Sequence, residues 1–302
     1  MKNANPPMAR RFNAILAEHN ERVGAKRKDE NKHVEVEPTV EYGLLPNWSD
    51  SVRRVPNFAL RSALFGTMKK GGRHYVEQLK INSLGDASVL YTGALLDQGD
   101  LDVWEAVLQF SRAQQWGAEC RVTAYRLLKD LGKTDSGKNR TILDLSISRL
   151  KATALNVRLG QISYEGSLIH EVYRDHGEQS ERIYVIRLNP KLRVLFRNDQ
   201  FTDVDWAIRR ALRGKPLAQW IHGFYASHAR PYDLKVETLH RLCGSCAKSL
   251  IDFRKDLRRS LEAVRRESAN AGRPFSYLFK DHLVQVVTTP SASQKRHLAK
   301  KR

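Results

Sequence analysis

Acidic residues are in short supply: 33 Asp and Glu stand against 52 Lys and Arg over 302 residues, a formal net charge of +19. That imbalance points first to a polyanionic partner. Cysteine is scarce as well, with three residues, Cys120, Cys243 and Cys246. An odd and small number excludes a disulfide scaffold and fits a reducing compartment. No apolar run approaches the roughly 18 residues of a membrane span, and the start Met1–Pro7 lacks the apolar core of a signal peptide. A soluble, cytoplasmic protein without a membrane partner is expected. There is no Gly-x-Ser-x-Gly elbow, no pair of carboxylates at catalytic spacing, no His-rich cluster and no His-x-His. Neither catalysis, a cofactor nor a metal site is therefore expected. What is present is 41% hydrophobic residues with 28% charged, which excludes wholesale disorder and suffices for about two packed domains.

The first 44 residues are polar and proline-flanked, with a basic, weakly amphipathic patch at Ala9–Lys28, and read as a flexible arm. Apolar anchoring begins at Leu44–Trp48. The run Ser291–Arg302, ending Lys300-Lys301-Arg302, reads as an uncompacted basic tail. Between them, Val103, Trp104, Val107, Leu108 and Phe110 fall at helical spacing after a cap at Asp100 or Asp102. Arg121–Thr123 is a short extended link, and Ala124–Leu131 a second helix stopped by Gly132. A third helix runs from Asn139 to about Thr153, with Ile142, Leu145, Ile147, Leu150 and Ala154 as its apolar positions. Leu155–Leu159, Ser167–Ile169 and Ile183–Leu188 read as strands. This order predicts a winged-helix unit over 45–200.

A second unit over 201–290 follows the same plan. Leu217, Trp220, Ile221, Phe224 and Tyr225 form an apolar helical face, Val236–Leu242 is a short helix, and Cys243-Gly244-Ser245 is a tight turn. Ala247–Glu267 then carries Leu250, Phe253, Leu257, Leu261 and Val264 at steps of three and four, and Leu283–Val287 alternates as a strand. A short helix, a Gly-containing turn and a longer helix make the helix-turn-helix signature. The fold class is α+β, two tandem winged-helix domains with flexible basic ends.

Basic residues concentrate on the longer helix, where Lys248, Arg254, Lys255, Arg258 and Arg259, with Arg265 and Arg266, fall largely away from the apolar stripe. A solvated charged helix would look similar, but its place after a helix-turn and its sparse acidic residues favour DNA. Ser245, Lys248, Ser249 and Asp252 are placed for base edges in its first turns, and the later arginines for phosphates. The first unit offers Lys133, Lys138, Asn139, Arg140 and Thr141 at the start of its third helix. Asn and Arg there can pair with adenine and guanine edges, while Ser136 or Asn139 can equally cap the helix.

Gly132–Asn139 matches a phosphate-binding loop except at its last position, where Asn139 replaces the magnesium-holding Ser or Thr, and a helix rather than a strand precedes it. ATP binding is not expected there. Cys243-x-x-Cys246 lacks the four ligands of a structural zinc site and reads as buried thiols in a helix-turn.

Several segments from Trp48 to Val287 resemble the TrfA family of IncP-type plasmid replication initiators. They are Pro56-Asn57 with Arg61–Phe65, then Ser148-Arg149-Leu150 with Ala152-Thr153-Ala154, and the dispersed set Ser227-His228, Pro231-Tyr232, Leu234-Lys235, Glu237-Thr238 and Cys243-Gly244-Ser245. The resemblance implies a tandem winged-helix initiator that binds directly repeated origin sites (iterons) in double-stranded DNA. It also implies melting of an adjacent A·T-rich segment, contact with the single strands so opened, a monomer–dimer balance and association with the plasmid in the nucleoid. The partners it implies are the host initiator, the replicative helicase and the polymerase clamp. The family's reading helices fall by position on Lys138–Thr141 and Lys248–Lys255. Thr39-Val40-Glu41-Tyr42-Gly43 stands where the family carries the clamp-binding sequence Gln-Leu-Ser-Leu-Phe, so clamp contact through that stretch is not expected. A winged-helix transcriptional repressor or copy-number autoregulator is the alternative; the missing His-x-His counts against a relaxase.

Overall fold

The computed structural model describes residues 48–68, 73–85, 87–175, 181–196 and 200–300, so the arm, its Ala9–Lys28 patch and Thr39–Gly43 lie outside the described residues. In chain order the first part contains β1 (Val52–Pro56), α1 (Asn57–Leu60), β2 (Phe65–Gly66), β3 (Tyr75–Ile81), β4 (Ala87–Ala94), β5 (Leu96–Asp97) and α2 (Gln98–Ser111). It continues through β6 (Glu119–Thr123), α3 (Ala124–Asp130), α4 (Gly137–Lys151), β7 (Ala154–Leu159), β8 (Ile162–Gly166), β9 (Glu171–Asp175) and β10 (Ile183–Arg187). The second part has β11 (Phe201–Asp205), α5 (Trp206–Ala211), α6 (Pro216–Ala226), β12 (Leu234–Lys235), α7 (Val236–Leu242) and α8 (Leu250–Asn270), then β13 (Phe275–Lys280), β14 (Leu283–Thr288) and α9 (Ala292–Lys300).

Both parts repeat one arrangement. In the first, α2, β6, α3 and α4 are followed by the antiparallel pair β9 and β10, with strand order β6-β10-β9. In the second, α6, β12, α7 and α8 are followed by β13 and β14, with strand order β12-β14-β13. In each, the strand before the second helix pairs with the last strand. The first copy carries an insertion between α4 and β9: β7 and β8 leave the unit to complete a four-stranded sheet, β3-β4-β7-β8. Neither β3, β4 nor β13 is among the strands expected from the sequence. The expected strand Ser167–Ile169 is instead a bend, because Leu168 and Ile169 both bury their side chains where alternation would expose one.

Local chemistry sets the helix starts. Asp97 caps α2: its carboxylate accepts from the backbone N–H of Gly99 and Asp100, and the Asp100 carboxylate accepts from Asp97 N. The expected cap residues have other work, Asp100 pairing with Arg73 and Arg149, and Asp102 with Arg209. Ser136 caps α4 and Ser249 caps α8. Gly132 ends α3 in the left-handed region, at φ +60°, as the sequence predicts. A Cβ there would also lie 2.5 Å from the Arg213 guanidinium, whose Nη1 donates to Gly132 O.

Two apolar clusters fill the interior. The first runs from Trp48 to Trp206 and includes Trp104, Leu128, Ile147 and Ile186. The second runs from Ile208 to Val286 and includes Trp220, Phe224, Phe253, Leu257 and Leu261. Polar groups fasten one to the other. Arg209 is fully buried, donates from Nε to Asp102 at 2.7 Å and lies 2.9 Å from Glu105. Trp220 Nε1 donates to Ser62 O, and Thr67 N donates to Cys243 O at 2.9 Å.

Some of the residues that carry the family resemblance, Arg61–Phe65 with Ser227 and Gly244, meet at this junction. Arg61 Nε donates to Ser227 Oγ at 2.9 Å, and the Ala63–Gly66 backbone packs on Gly244 closely enough that a Cβ there would sit 3.2 Å from Ala63 Cβ. Burial lowers the His228 pKa to about 4, so its ring is neutral beside Arg61. The C-terminal stretch read as an uncompacted tail departs from that expectation. Ala292–Lys300 is helical, its first turn is held by Ser291 and Gln294, and Gln294 Nε2 donates to Ala226 O.

Candidate nucleic-acid interface

In the first unit α4, the helix expected to read DNA, starts at Gly137, two residues before the expected Asn139. Its buried face is Leu143, Ile147 and Leu150 with Ser146, whose hydroxyl donates to Asp100 at 2.6 Å. Lys138 and Thr141 stand on the opposite face and are exposed, whereas Lys133 is half-buried in the preceding turn. The Asn139 amide donates to Thr134 O at 2.8 Å and to Thr134 Oγ1, and Thr141 Oγ1 donates to Gly137 O. Arg140 makes a two-pronged bond with Asp135, Nε to Oδ1 at 2.6 Å and Nη2 to Oδ2 at 2.7 Å. That guanidinium holds the Asp135 carboxyl below its ordinary range. Asn139 and Arg140 thus brace the turn in the free protein, and of the five residues picked out here Lys138 and Thr141 are the most open.

Three positions expected on the apolar face of this helix are not there: Ala154 is exposed at the start of β7, and two more lie on the helix itself. Ile142 is 41% and Leu145 54% exposed, because α4 carries a third apolar row beyond what the core covers. The β9–β10 hairpin grips the helix from the side. Asp144 accepts from Tyr184 OH at 2.6 Å and pairs with Arg174 and Arg182, and Arg174 also donates to Ser148 Oγ.

In the second unit the helix begins at Leu250, not Ala247, since Ser249 is its cap and accepts from the N–H groups of Ile251 and Asp252. Ser245 and Lys248 therefore sit in the loop ahead of the helix, and Asp252 occupies its first turn. Leu250 is a further departure, 45% exposed rather than in the stripe of Phe253, Leu257, Leu261 and Val264. Beside it Ile251 is 71% exposed.

The acidic residues on α8 are not sparse. Lys255 pairs with Asp252, Arg259 with Asp256, Arg265 with Glu262 and Arg266 with Glu267. The neighbouring guanidiniums hold Glu262 and Glu267 below the usual carboxylate range. Among the described residues Arg254 and Arg258 have no acidic partner; both guanidiniums lie over the Phe279 ring of β13, at 5.3 and 5.0 Å from its centre. An aromatic face orients a cation without neutralising it. Arg258 and Arg259, alike in the sequence, are thus different groups in the structure. Phe279 is not among the residues expected from the sequence, although Phe275, Tyr277 and Phe279 alternate after Gly272 and Pro274, which is the signal that would have marked β13.

The Cys-x-x-Cys pair separates: Cys243 is buried, its thiol pushed up to about 11 by desolvation, while Cys246 is exposed. His240 is occupied by Ala247 O at 3.0 Å. Among the described residues no three His, Cys, Asp or Glu side chains converge on a point, and no helix is long and apolar enough to cross a membrane.

Two copies of a helix, turn, helix and hairpin, each presenting a helix face with cations around it, define a mixed helix-and-strand protein. The profile of the TrfA protein family matches residues 24–284, and the chain belongs to that family. It is similar to the plasmid replication initiator protein TrfA of Escherichia coli, 32% identical over 224 residues, which is 72% of this chain and 58% of that protein. The chain thus matches a little over half of that relative's length. Among solved structures it is similar to domains 2 and 3 of RctB, with TM-score 0.45, 15% identity, 78% of this chain and 97% of that one covered. A second RctB structure of the same domains gives TM-score 0.44 at 13% identity, covering 82% and 96%.

Proposed function

We propose that the chain is a plasmid replication initiator that binds directly repeated origin sites through two winged-helix units, promotes opening of the origin and recruits the host initiator and replicative helicase. The observation that carries this reading is the repeated strand order around each helix-turn-helix, in a chain that belongs to the TrfA family. In each unit the third helix enters a major groove and the hairpin after it is the wing. Lys138 and Thr141 with Lys133, and Lys248 with Asp252 and Lys255, lie at the leading ends of the two helices, and Arg254 and Arg258 face phosphate.

Because the two units differ in charge and in their insertions, the site they read together is asymmetric. A direct repeat suits such a protein better than the palindrome of a dimeric repressor. No step of this function requires ATP chemistry by this chain, and α3 rather than a strand precedes Gly132–Asn139. Footprinting on the origin of the chain's own plasmid tests the reading: protection of tandem, same-orientation repeats is expected. Protection of one palindrome, or ATP turnover that vanishes in Lys138→Ala, would overturn it.

A further inference from the structure

The exposed aliphatic side chains of the two reading helices are the strongest unexplained feature of the molecule. On α4, Leu145 lies on the face opposite Leu143, Ile147 and Leu150, in line with Lys138, Thr141 and Ser148, and Ile142 is next to it. On α8, Ile251 stands one turn before Arg254 and Lys255. A scattered surface leucine is ordinary. Here both copies of the same arrangement place large aliphatic groups on the outward face of the third helix, with cations around them. No described segment covers them.

A ligand that fits must be anionic at its margins and apolar at spots between. The major groove meets both conditions, since its rims are phosphate and the thymine 5-methyl is the apolar group on its floor. We propose that Leu145 with Ile142, and Ile251, read thymine by packing on its 5-methyl group, which makes them specificity-determining residues of the two units. The inference rests on the DNA-binding reading above. Asn139 and Arg140, the hydrogen-bonding side chains at the start of α4, are held within their own turn by Thr134 and Asp135, which leaves discrimination on α4 to Lys138, to shape and to apolar contact.

The test removes the methyl and nothing else. Duplexes enriched from a random-sequence pool by the full chain are resynthesised with deoxyuridine in place of each thymine in turn, which keeps every base-pair hydrogen bond. The wild type is expected to bind about fourfold more weakly for each contacted methyl that is lost. Leu145→Ala and Ile251→Ala should each become indifferent to the exchange at its own thymine, while binding the deoxyuridine duplex as the wild type does; Ile251→Val should keep the discrimination. A wild type that ignores every exchange, or variants that both keep the full discrimination, would overturn the proposal. If no duplex is enriched at all, the DNA-binding reading falls with it, whereas enrichment without thymine discrimination removes only the methyl contacts. Variants that weaken both duplexes equally and sediment as monomers where the wild type is a dimer would assign this face to a second copy of the chain and also overturn it.

Discussion

In the first unit the hairpin holds its helix through Asp144, a carboxylate shared by Arg174, Arg182 and Tyr184, and in the second through Phe279, an aromatic ring beneath Arg254 and Arg258. The two joints occupy corresponding places and leave opposite surfaces. One carboxylate offsets only one of the two arginines that pair with it, so the α4 joint leaves a single net positive charge where the α8 joint leaves two. A ring orients the guanidinium and leaves its charge available to phosphate. The outward face of α4 is accordingly apolar and weakly basic, and that of α8 cationic. Counting arginines along the chain misses this difference, because what matters is which of them already has a partner.

The largest expected effect concerns whether the two units form one body at all. Arg209 of α5 faces Asp102 and Glu105 of α2 with no access to water. Arg209→Met leaves Asp102 and the buried Glu105 without their cation and should lower stability by about 3–5 kcal/mol in urea unfolding. A loss below about 1 kcal/mol would mean that the units are joined chiefly by apolar contact.

Glu105 gives that junction a pH dependence. Burial pushes its carboxyl up to about 7, against the pull of Arg209, whose Nε lies 2.9 Å from Oε2. Between its ordinary pKa of 4.5 and about 7 the folded chain holds a proton that the unfolded chain has released, so this group's contribution falls as pH rises through that window. His222 opposes it: burial lowers its pKa to about 3, so its contribution is lost as pH falls below 6.5. Glu105→Gln should remove the first trend alone. Its stability relative to wild type should therefore grow by ~1–3 kcal/mol from pH 5 to 7, and a constant difference would contradict a protonated Glu105.

The two joints are separated by their own variants. Phe279→Leu releases two guanidiniums and should weaken duplex binding by about three- to tenfold, while Phe279→Trp restores it. Asp144→Asn should instead lower the melting temperature with a smaller effect on binding. Equal behaviour of the two would erase the distinction drawn above.

Within α8, Arg258→Ala should reduce the slope of log K against log salt by about 0.9, and Arg259→Ala by less, because Asp256 already offsets that charge. The smallest effect is expected at the first turn. Asp135→Asn removes the carboxylate that pairs with Arg140 and should tighten binding to random duplex roughly twofold. A weakening there would show that the braced turn, rather than the cation, is what binding uses.

Much of this molecule could be read in advance where the signal is local. The stripe of Phe253, Leu257, Leu261 and Val264, the stop at Gly132 and the order of the main helices follow from periodicities within a few turns. Helix starts were less legible, since Asp97, Ser136 and Ser249 compete with neighbouring residues that cap equally well until the backbone is placed. The site was half legible. Its basic residues stand out by type, but whether Arg140, Arg258 or Arg259 is available to DNA depends on Asp135, Phe279 and Asp256.

The sequence by itself therefore determined the charge of the protein, the apolar stripes of its helices, its turn glycines and, through dispersed residues such as Arg61 and Ser227, its family. Tertiary structure alone decided that those family residues pack against one another, that Ile142, Leu145 and Ile251 face outward, and that one hairpin grips its helix by ion pairs and the other by a ring. The reason is physical. Periodicity records which face of an element is apolar, whereas burial and charge pairing depend on which distant segment arrives to cover it, and β7 and β8 crossing over to β4 are a connection that no local pattern contains.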